Sequence, residues 1–153
     1  MRIAIASDHG GFRLKSDIAR LLQELSHGCH DFGPPDFHDV DYPDYAVKVA
    51  RAVADGEFDR GILICGTGQG MAMSANKVKG VRAALCHDPF SARLSREHND
   101  ANVLCLGERV IGSGLAADIV KTWLKAEPSD EERHHRRVGK ITALDERRAV
   151  EGL

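Results

Sequence analysis

The sequence lacks three features that would place the chain in a specialised class of protein. No apolar run approaches the ~20 residues that a membrane-spanning helix needs, and the N-terminal stretch MRIAIASDHGG turns polar too early for a secretory signal. The four cysteines show no CxxC spacing, and in a reducing compartment they are expected to be free thiols. These absences predict a cytoplasmic protein with no membrane partner.

An excess of charge of one sign is also missing. The chain carries 21 Lys and Arg against 23 Asp and Glu, a formal charge of -2 at pH 7. Such a balance gives no general attraction to nucleic acid or to an anionic membrane surface. A small molecule is therefore the expected partner, and no nucleic-acid partner is predicted. At 153 residues the chain is expected to form a single domain, 1–153, around one core.

Short apolar runs alternate with segments of helical period. The runs are RIAIA (2–6), RGILIC (60–65), VRAALC (81–86) and NVLCLG (102–107), with a weaker strand around 29–32. Between them, segments such as FRLKSDIARLLQEL and DYAVKVARAVADG place apolar residues on one helical face. Right-handed crossovers between such strands predict an α/β fold, a three-layer α/β/α sandwich with a Rossmann-like five-stranded parallel sheet.

Two further segments are predicted from composition. The stretch GPPDFHDVDYPDY (33–45) is rich in proline and aspartate, which predicts a loop. An extra C-terminal helix over about 129–150 is expected to begin with Ser129 as its N-cap. Val138, Ile141, Leu144 and Val150 form a partial apolar stripe on that helix, so we expect it to pack on a partner subunit.

A glycine-rich turn follows the third predicted strand in ILICGTGQGMAMSANK (62–77). In a doubly wound sheet the ligand lies beyond the carboxyl ends of the strands. Glycine-rich turns that lead into a helix expose backbone N–H groups, which suit a phosphate or a developing oxyanion. The turn is therefore predicted to be an anion cradle, formed by Gly66, Thr67, Gly68, Gln69 and Gly70.

A dinucleotide site is the weaker interpretation of this turn. A GxGxxG motif would require glycine where Met71 stands, and that motif normally follows the first strand. Asp31 is nevertheless available as an acidic residue to contact a ribose, so a cofactor-binding assay would be needed to exclude this alternative.

Cys65 and Thr67 are open to two interpretations each. Cys65 could be a core thiol at a strand end, or a thiolate that the following helix N-terminus stabilises for use as a base or nucleophile. Thr67 could hydrogen-bond the sulfur or a substrate hydroxyl, or be an ordinary turn residue.

Basic residues later in the chain are also open to two interpretations. His98 ends a predicted helix, where it could interact with the helix dipole or, pointing toward the ligand edge of the sheet, act as an acid or base. Arg133 and Arg137 lie four apart on one face of the last helix, with His134 adjacent. They form either a solvated charged face or a forked pair for a phosphate dianion.

A cluster of potential metal ligands lies between residues 30 and 41, comprising His30, Asp31, His38, Asp39 and Asp41. Their spacing fits no fixed helical arrangement of ligands. A polar loop is the preferred interpretation, and no metal is predicted.

Taken together, several stretches resemble one family, the B-type ribose-5-phosphate isomerases, which are grouped with the galactose-6-phosphate isomerases. They are IASDHGGFRLK, DYPDYA, GILICGTGQGMAMSANK, VRAALCHDPFSARLSREHNDANVLCLGERVIG and RHHRRVGKI, in order along nearly the whole chain. The resemblance implies an enzyme without metal or cofactor that interconverts aldose and ketose phosphates through an enediolate. It also implies a homodimer or tetramer with the active site shared between subunits.

The resemblance further implies a role for each site residue. Cys65 would move the proton between C1 and C2 with help from Thr67, His98 would open the furanose ring, and the 66–70 backbone would hold the enediolate oxygen. Of the other substrate-binding residues, Asp8 and Asn99 would bind sugar hydroxyls, Asp41 and Tyr42 would line the entrance, and His9, Arg109, Arg133 and Arg137 would receive the phosphate, with His134 nearby. His98, Asn99 and Arg109 would face a partner's cradle.

Two positions depart from the pattern of some relatives. Met71 stands where some members carry a catalytic glutamate, which implies the subtype that uses cysteine. The histidine-rich HHRR at 134–137 replaces a segment expected to hold more glutamine, and it leaves the identity of the sugar open. The alternative function is a non-catalytic phosphosugar- or nucleotide-binding regulatory module, which would need the cradle and the arginines but neither Cys65 nor His98.

Overall fold

The computed structural model describes residues 1–150, with side chains through residue 146. Five strands alternate with helices along the chain, and a short 3-10 turn, His9–Gly11, follows the first strand. In order, the elements are β1 (Arg2–Ser7), α1 (Phe12–Glu24), β2 (Gly28–Asp31), α2 (Tyr42–Ala54), β3 (Arg60–Cys65), α3 (Gln69–Ala75), β4 (Ala83–Leu85), α4 (Pro89–Glu97), β5 (Val103–Gly107), α5 (Ser113–Lys125) and α6 (Glu132–Val150).

The five strands form one sheet in the order β2-β1-β3-β5-β4. All neighbouring strands are parallel, as predicted. The strand order reverses between β1 and β3, which makes that pair the topological switch point. Ser7 lies opposite Ile64, and Cys65 lies opposite Gly107, so the chain leaves β1, β3 and β5 at one common edge.

Alternate side chains of each central strand enter two separate cores. Ile62 and Ile64 of β3 point to the face covered by α1, α4 and α5, where Trp123 is fully buried. Leu63 and Cys65 point to the opposite face, covered by α2 and α3. Because the strands are apolar on both faces, they are held between two helical layers. The predicted α/β/α sandwich is confirmed.

Three predicted boundaries were wrong. The fourth strand is Ala83–Leu85 rather than 81–86, because it pairs with β5 alone at the sheet edge. The predicted loop at 33–45 ends at Asp41, since α2 begins at Tyr42 with proline in its first turn. The last helix begins at Glu132, and the Ser129 hydroxyl accepts the N–H of Glu131 in the preceding turn instead of capping the helix.

Helix α6 contacts its own chain near both ends. The His134 ring stacks on His98, and Asp145 accepts the N–H of Gly80 at 2.9 Å. Ile141 and Leu144 of the predicted apolar stripe remain 41% and 55% exposed. The side chain of Val150, the last member of the stripe, lies outside the described residues. Packing of α6 on a partner subunit therefore stays a prediction.

Within residues 1–150, every helix is too short or too polar to cross a membrane.

A buried guanidinium joins the sheet to the C-terminal end of α5. Arg60 Nη1 donates to the carbonyl oxygens of Trp123 at 2.9 Å and Leu124 at 3.0 Å. The same guanidinium lies 5.3 Å from the centre of the Trp123 ring. Carbonyl groups in the last turn of a helix have no partner within the helix, so Arg60 supplies the donors that these two need.

We therefore expect Arg60→Ala to lower the free energy of unfolding by on the order of 3 kcal/mol, because buried carbonyls lose charged donors. Urea denaturation followed by circular dichroism measures the change. Arg20→Ala is the matched control, since Arg20 forms an exposed pair with Asp17, and such pairs contribute ~1 kcal/mol or less. Equal losses in the two variants would contradict the assignment.

Candidate active site

The loop after β3 turns back on the cysteine that ends the strand. Gly68 has φ +78°, a left-handed conformation, and its N–H donates to the Sγ of Cys65 at 3.0 Å. The Thr67 hydroxyl accepts the N–H of Gln69 at 3.4 Å, where α3 begins. A hydrogen bond from a backbone N–H stabilises the deprotonated form of a thiol. The loop therefore places a backbone N–H donor on the sulfur of Cys65.

Other backbone N–H groups of the loop are available to a ligand. Those of Gly66, Thr67, Gly70 and Met71 have no acceptor among the residues that the structure describes. Donors grouped in this way beside a thiol can stabilise negative charge that develops on a substrate oxygen. The geometry agrees with the anion cradle expected from the glycine spacing. Met71 itself is fully buried in the core.

Close packing requires glycine at two positions around the loop. A Cβ added to Gly68 would lie 2.5 Å from Leu85 Cδ1 and 2.9 Å from the backbone carbon of Leu106. A Cβ added to Gly107, at the end of β5, would lie 2.6 Å from the carbonyl carbon of Thr67. A glycine that directly ends a strand in this way allows the close approach of another backbone.

The loops after β1 and β5 complete this edge of the sheet. The Arg109 guanidinium lies beside Gly66, where an added Cβ would be 3.3 Å from its Cζ, and Arg109 N–H donates to Gly66 O at 3.0 Å. The expectation that Arg109 faces a partner's cradle was wrong: it lies against the cradle of its own chain. Gly10, after β1, is the neighbour on the other side, and its Cβ would lie 3.0 Å from Gly66 N.

Asp8 is a buried carboxylate at the same place. The residue is only 7% exposed, and its Oδ1 has no hydrogen-bond partner among the described residues. Burial raises the pKa of Asp8 above its ordinary value, against the lowering effects of His9, of the nearby backbone N–H groups and of Arg109. A buried acceptor without a partner is costly, so Asp8 is suited to bind a ligand hydroxyl.

The loop before α2 covers the outer side of this group. The Val40 N–H donates to His9 Nδ1 at 3.4 Å, which ties the loop to the end of β1. Asp41 directly precedes α2 and is exposed. The Tyr42 ring lies over Gly70, whose added Cβ would be 2.7 Å from it. The structure thus brings together the residues after β1, β3 and β5 with the entrance residues Asp41 and Tyr42.

His98 lies elsewhere. It follows the last residue of α4, and the crossover helix runs back to the amino end of β5. There the Ala101 N–H donates to Ser95 O, and the Asn102 carbonyl accepts the N–H of Gly61 near the start of β3. Cys65 lies four residues further along that strand, about 13 Å from Gly61 at ~3.3 Å per residue. The expectation that His98 points to the ligand edge of its own sheet was wrong.

The remaining predicted site residues group around His98. Asn99 is exposed next to it, and Arg133 and Arg137 are exposed on α6. His134 stacks on His98 with ring centres 4.1 Å apart and planes inclined by 7°. Each chain therefore carries two groups of site residues at opposite edges of the sheet. The first, the cradle group, surrounds Cys65, and the second, the histidine group, surrounds His98.

An ion-pair network that the sequence analysis missed fixes the chain after His98. Asp100 has φ +46°, a left-handed conformation that aspartate tolerates better than most residues. Its carboxylate accepts from Arg96 Nη1 at 2.7 Å and from Arg82 Nη2 at 3.0 Å. Arg82 Nε also donates to the carbonyl oxygens of Asn99 and Asp100. The only sequence signal for this arrangement is an aspartate between a helix and a strand.

The other three cysteines are poor candidates for a base. Burial raises the pKa of Cys105 well above its ordinary value and that of Cys86 to about 11. Burial, followed by the charge of Asp31, also raises the pKa of Cys29. Cys65 differs from them because it ends a strand at the switch point and accepts a backbone N–H.

The acidic and histidine residues at 30–41 are spread along the loop. His38 contacts Asp36, and His9 Nδ1 lies 3.9 Å from Asp39. In the part of the chain that the structure describes, no three His, Cys, Asp or Glu side chains come close enough to hold a metal ion.

Comparison with known proteins assigns this arrangement to a family. The model of the ribose/galactose isomerase family matches residues 3–141. The chain belongs to this family. Among other members of the ribose/galactose isomerase family, Escherichia coli ribose-5-phosphate isomerase B is 50% identical over 147 residues, 96% of this chain and 98% of that protein. The resemblance inferred from the motifs is confirmed.

Two further relatives extend the comparison. The structure of Clostridium thermocellum ribose-5-phosphate isomerase B is 56% identical and superposes with a TM-score of 0.94, over 96% of this chain and 99% of that one. A D-erythrulose-4-phosphate isomerase from Pectobacterium atrosepticum is 46% identical over 128 residues, 83% of this chain and 84% of that protein. The ribose/galactose isomerase family thus includes relatives that are named for different sugars.

We expect Gly68→Ala to destabilise the cradle and to remove most activity. An alanine at φ +78° costs ~1–2 kcal/mol in backbone strain alone, and its methyl group has no room beside Leu85 and Leu106. The readouts are the free energy of unfolding and the turnover number. Gly114→Ala, in α5 where an added Cβ meets nothing within 4 Å, should be neutral. A fully active Gly68→Ala enzyme would contradict the required geometry.

Proposed function

We propose that the chain, acting as one catalytic domain in the cytoplasm, interconverts ribose 5-phosphate and ribulose 5-phosphate. The observation that carries the proposal is the hydrogen bond from Gly68 N–H to Cys65 Sγ, within a loop where four further N–H groups, those of Gly66, Thr67, Gly70 and Met71, have no acceptor among the described residues. A regulatory module would need the loop but no thiol held by it, and membership of an isomerase family favours the enzyme.

The chemistry requires a proton to move between adjacent carbons. The Cys65 thiolate takes the proton from C2 of the open-chain aldose, and the electrons of the broken C–H bond move toward the carbonyl oxygen. The N–H groups of Gly66 to Gly70 stabilise the resulting enediolate. The thiol returns its proton to C1 as the hydroxyl proton moves between the two oxygens, which gives the ketose. Thr67 assists Cys65, and Asp8 accepts from a sugar hydroxyl. No metal or cofactor takes part.

Proton transfer at the cradle needs the open-chain aldose, so the furanose ring must open first. We assign protonation of the ring oxygen to His98. In one chain the cradle group and the histidine group lie at opposite edges of the sheet, so they cannot act on one sugar. A two-fold pair of chains can place the histidine group of each against the cradle group of the other. Two complete sites result. We therefore propose a homodimer, or a tetramer built from it.

The phosphate is assigned to cations from both groups. Arg109 and His9 flank the cradle, whereas Arg133 and Arg137 are exposed beside His98. Arg133 Nε lies 2.8 Å from Glu131, an exposed pair that a phosphate dianion can replace at little cost. Asn99, exposed next to His98, is assigned to a sugar hydroxyl.

A four-carbon substrate is the second candidate, since one relative is named for D-erythrulose 4-phosphate. The deciding experiment compares kcat/KM for ribose 5-phosphate with that for four-carbon and six-carbon aldose phosphates, in chelator and without added nicotinamide. The highest value is expected for ribose 5-phosphate. A higher value for another sugar would move the assignment to that sugar, and no turnover of any of them would overturn the isomerase.

Cys65→Ala tests the base. We expect turnover to fall by ~10² to 10⁴-fold, the usual contribution of a positioned acid or base. Binding of a phosphate ligand, measured by calorimetry, should change little because the N–H groups and the arginines remain. Cys29→Ala is the control, since Cys29 lies on β2 away from the switch point. Turnover near the wild-type level in Cys65→Ala would exclude the thiol as base.

The shared site can be tested by mixing two inactive chains. Cys65→Ala and His98→Asn each lose one group at both sites of their own homodimer. In a mixed pair, one site joins the intact Cys65 to the intact His98 of the other chain. Random association of co-expressed chains should restore about a quarter of the wild-type turnover of the cyclic aldose.

The control for this experiment replaces His98→Asn with the Cys65→Ala, His98→Asn double variant. That pairing cannot assemble a complete site and should stay inactive. If the first mixture also stays inactive while mixed pairs form, the site is not shared in the proposed way.

A further inference from the structure

His134 is buried in its own chain and stacked on His98. His134 is 5% exposed, and both of its ring nitrogens are buried without a hydrogen-bond partner among the described residues. One face of its ring is covered by His98, at 4.1 Å between ring centres and 7° between planes. A phosphate ligand needs an N–H that reaches the phosphate oxygen. The neighbouring Arg133 and Arg137 meet that need because they are exposed.

The backbone on both sides holds the stack in place. The N–H of His98 donates to Leu94 O at 2.9 Å, which continues the helical turn of α4. The Ser129 N–H donates to Glu97 O at 2.9 Å, so the segment before α6 is tied to the residue that precedes His98. His134 N–H donates to Glu131 O at 2.9 Å at the start of α6. Backbone hydrogen bonds therefore hold the two segments that carry the stacked rings next to each other.

We propose that His134 is a positioning residue, which holds the imidazole of His98 by ring stacking in the orientation that protonates the sugar ring oxygen. This inference rests on the proposed function of His98. It replaces the substrate-binding role, near the phosphate, that the resemblance implied for His134.

Burial and the charges around the pair disfavour a proton on His134. His134 is faced by Glu131, Arg133 and Arg137 from α6 and the turn before it. His98 and His134 line a cavity of ≈ 220 Å³. Glu97 and Asp100, from the end of α4, line the same cavity, together with His135. Burial, then the charge of His98 and that of Arg133, lowers the pKa of His134. A neutral His134 ring can stack on a charged His98, whereas two charged rings would repel.

The test compares His134→Ala with His134→Phe on the cyclic aldose and on the open-chain ketose. His134→Ala should lower kcat for the aldose by about 10- to 100-fold with little change in KM, because a small misplacement of a catalytic group costs this much. His134→Phe keeps an aromatic face and should recover most of that loss. Deuterium exchange from solvent into the ketose should be unchanged in both variants, since the ketose needs no ring opening.

Three controls make the outcome specific. His135→Ala removes an exposed neighbour on the same helix and should behave as wild type. Arg137→Met should raise KM with little change in kcat, as expected for a phosphate ligand. Unchanged ketose exchange also shows that the His134 variants are folded. If His134→Ala does not fold, His134→Leu takes its place, because leucine fills the space without an aromatic face.

The results separate this inference from the proposed function. If His134→Phe is as slow as His134→Ala, a ring nitrogen is required and positioning by stacking is wrong. If His134→Ala raises KM as Arg137→Met does, His134 binds phosphate and the inference is likewise wrong. His98→Asn, measured in parallel, tests the proposed function alone: full turnover of the cyclic aldose in that variant would remove the ring-opening role, whatever His134 does.

Discussion

The hydrogen bond from Gly68 N–H to Cys65 Sγ is the interaction on which the candidate site depends. It forms only because the chain turns through a left-handed conformation one residue before α3 begins. That turn has space only because Gly68 lacks a Cβ and lies against Leu85 and Leu106 of the two strands beyond β3. Contacts with β4 and β5 of the buried sheet therefore hold the loop in place, and the loop in turn positions the sulfur of Cys65. Rigidity of this kind is what allows N–H groups to stabilise charge without rearrangement.

The two edges of the sheet position their site residues by different physical means. At the carboxyl edge, close approach of backbone at Gly10, Gly68 and Gly107 brings the three loops together. At the amino edge, charged side chains do so: Asp100 is held between Arg82 and Arg96. The first arrangement offers neutral dipoles that are unaffected by pH. The second depends on charged side chains, which hold the segment that carries His98 and Asn99.

Much of the fold follows from periodicity alone. The apolar runs that became β1, β3 and β5 are buried on both faces, and such strands need helices on either side. The cradle was predictable because glycine spacing after a buried strand reports directly on backbone geometry. The position of His98 was also within reach of the sequence, since a crossover helix ends at the amino edge of the next strand. The network around Asp100 was not, because Arg82 lies 18 residues away and its side chain could have pointed elsewhere.

The separation of the two groups has a consequence for how activity depends on assembly. Under the proposed function, proton transfer uses the cradle of one chain and ring opening uses the histidine of the other. An isolated chain then retains a stabilised thiol but has no acid within reach of the same sugar. Because association is governed by mass action, turnover of the cyclic aldose should fall on dilution below the dissociation constant of the dimer.

Exposed Ile141 and Leu144 on α6, beside the histidine group, offer apolar surface for that association, and covering them would bury the groove next to Arg82 and Asn99 as well. The same contact that stabilises the pair would thus complete the site.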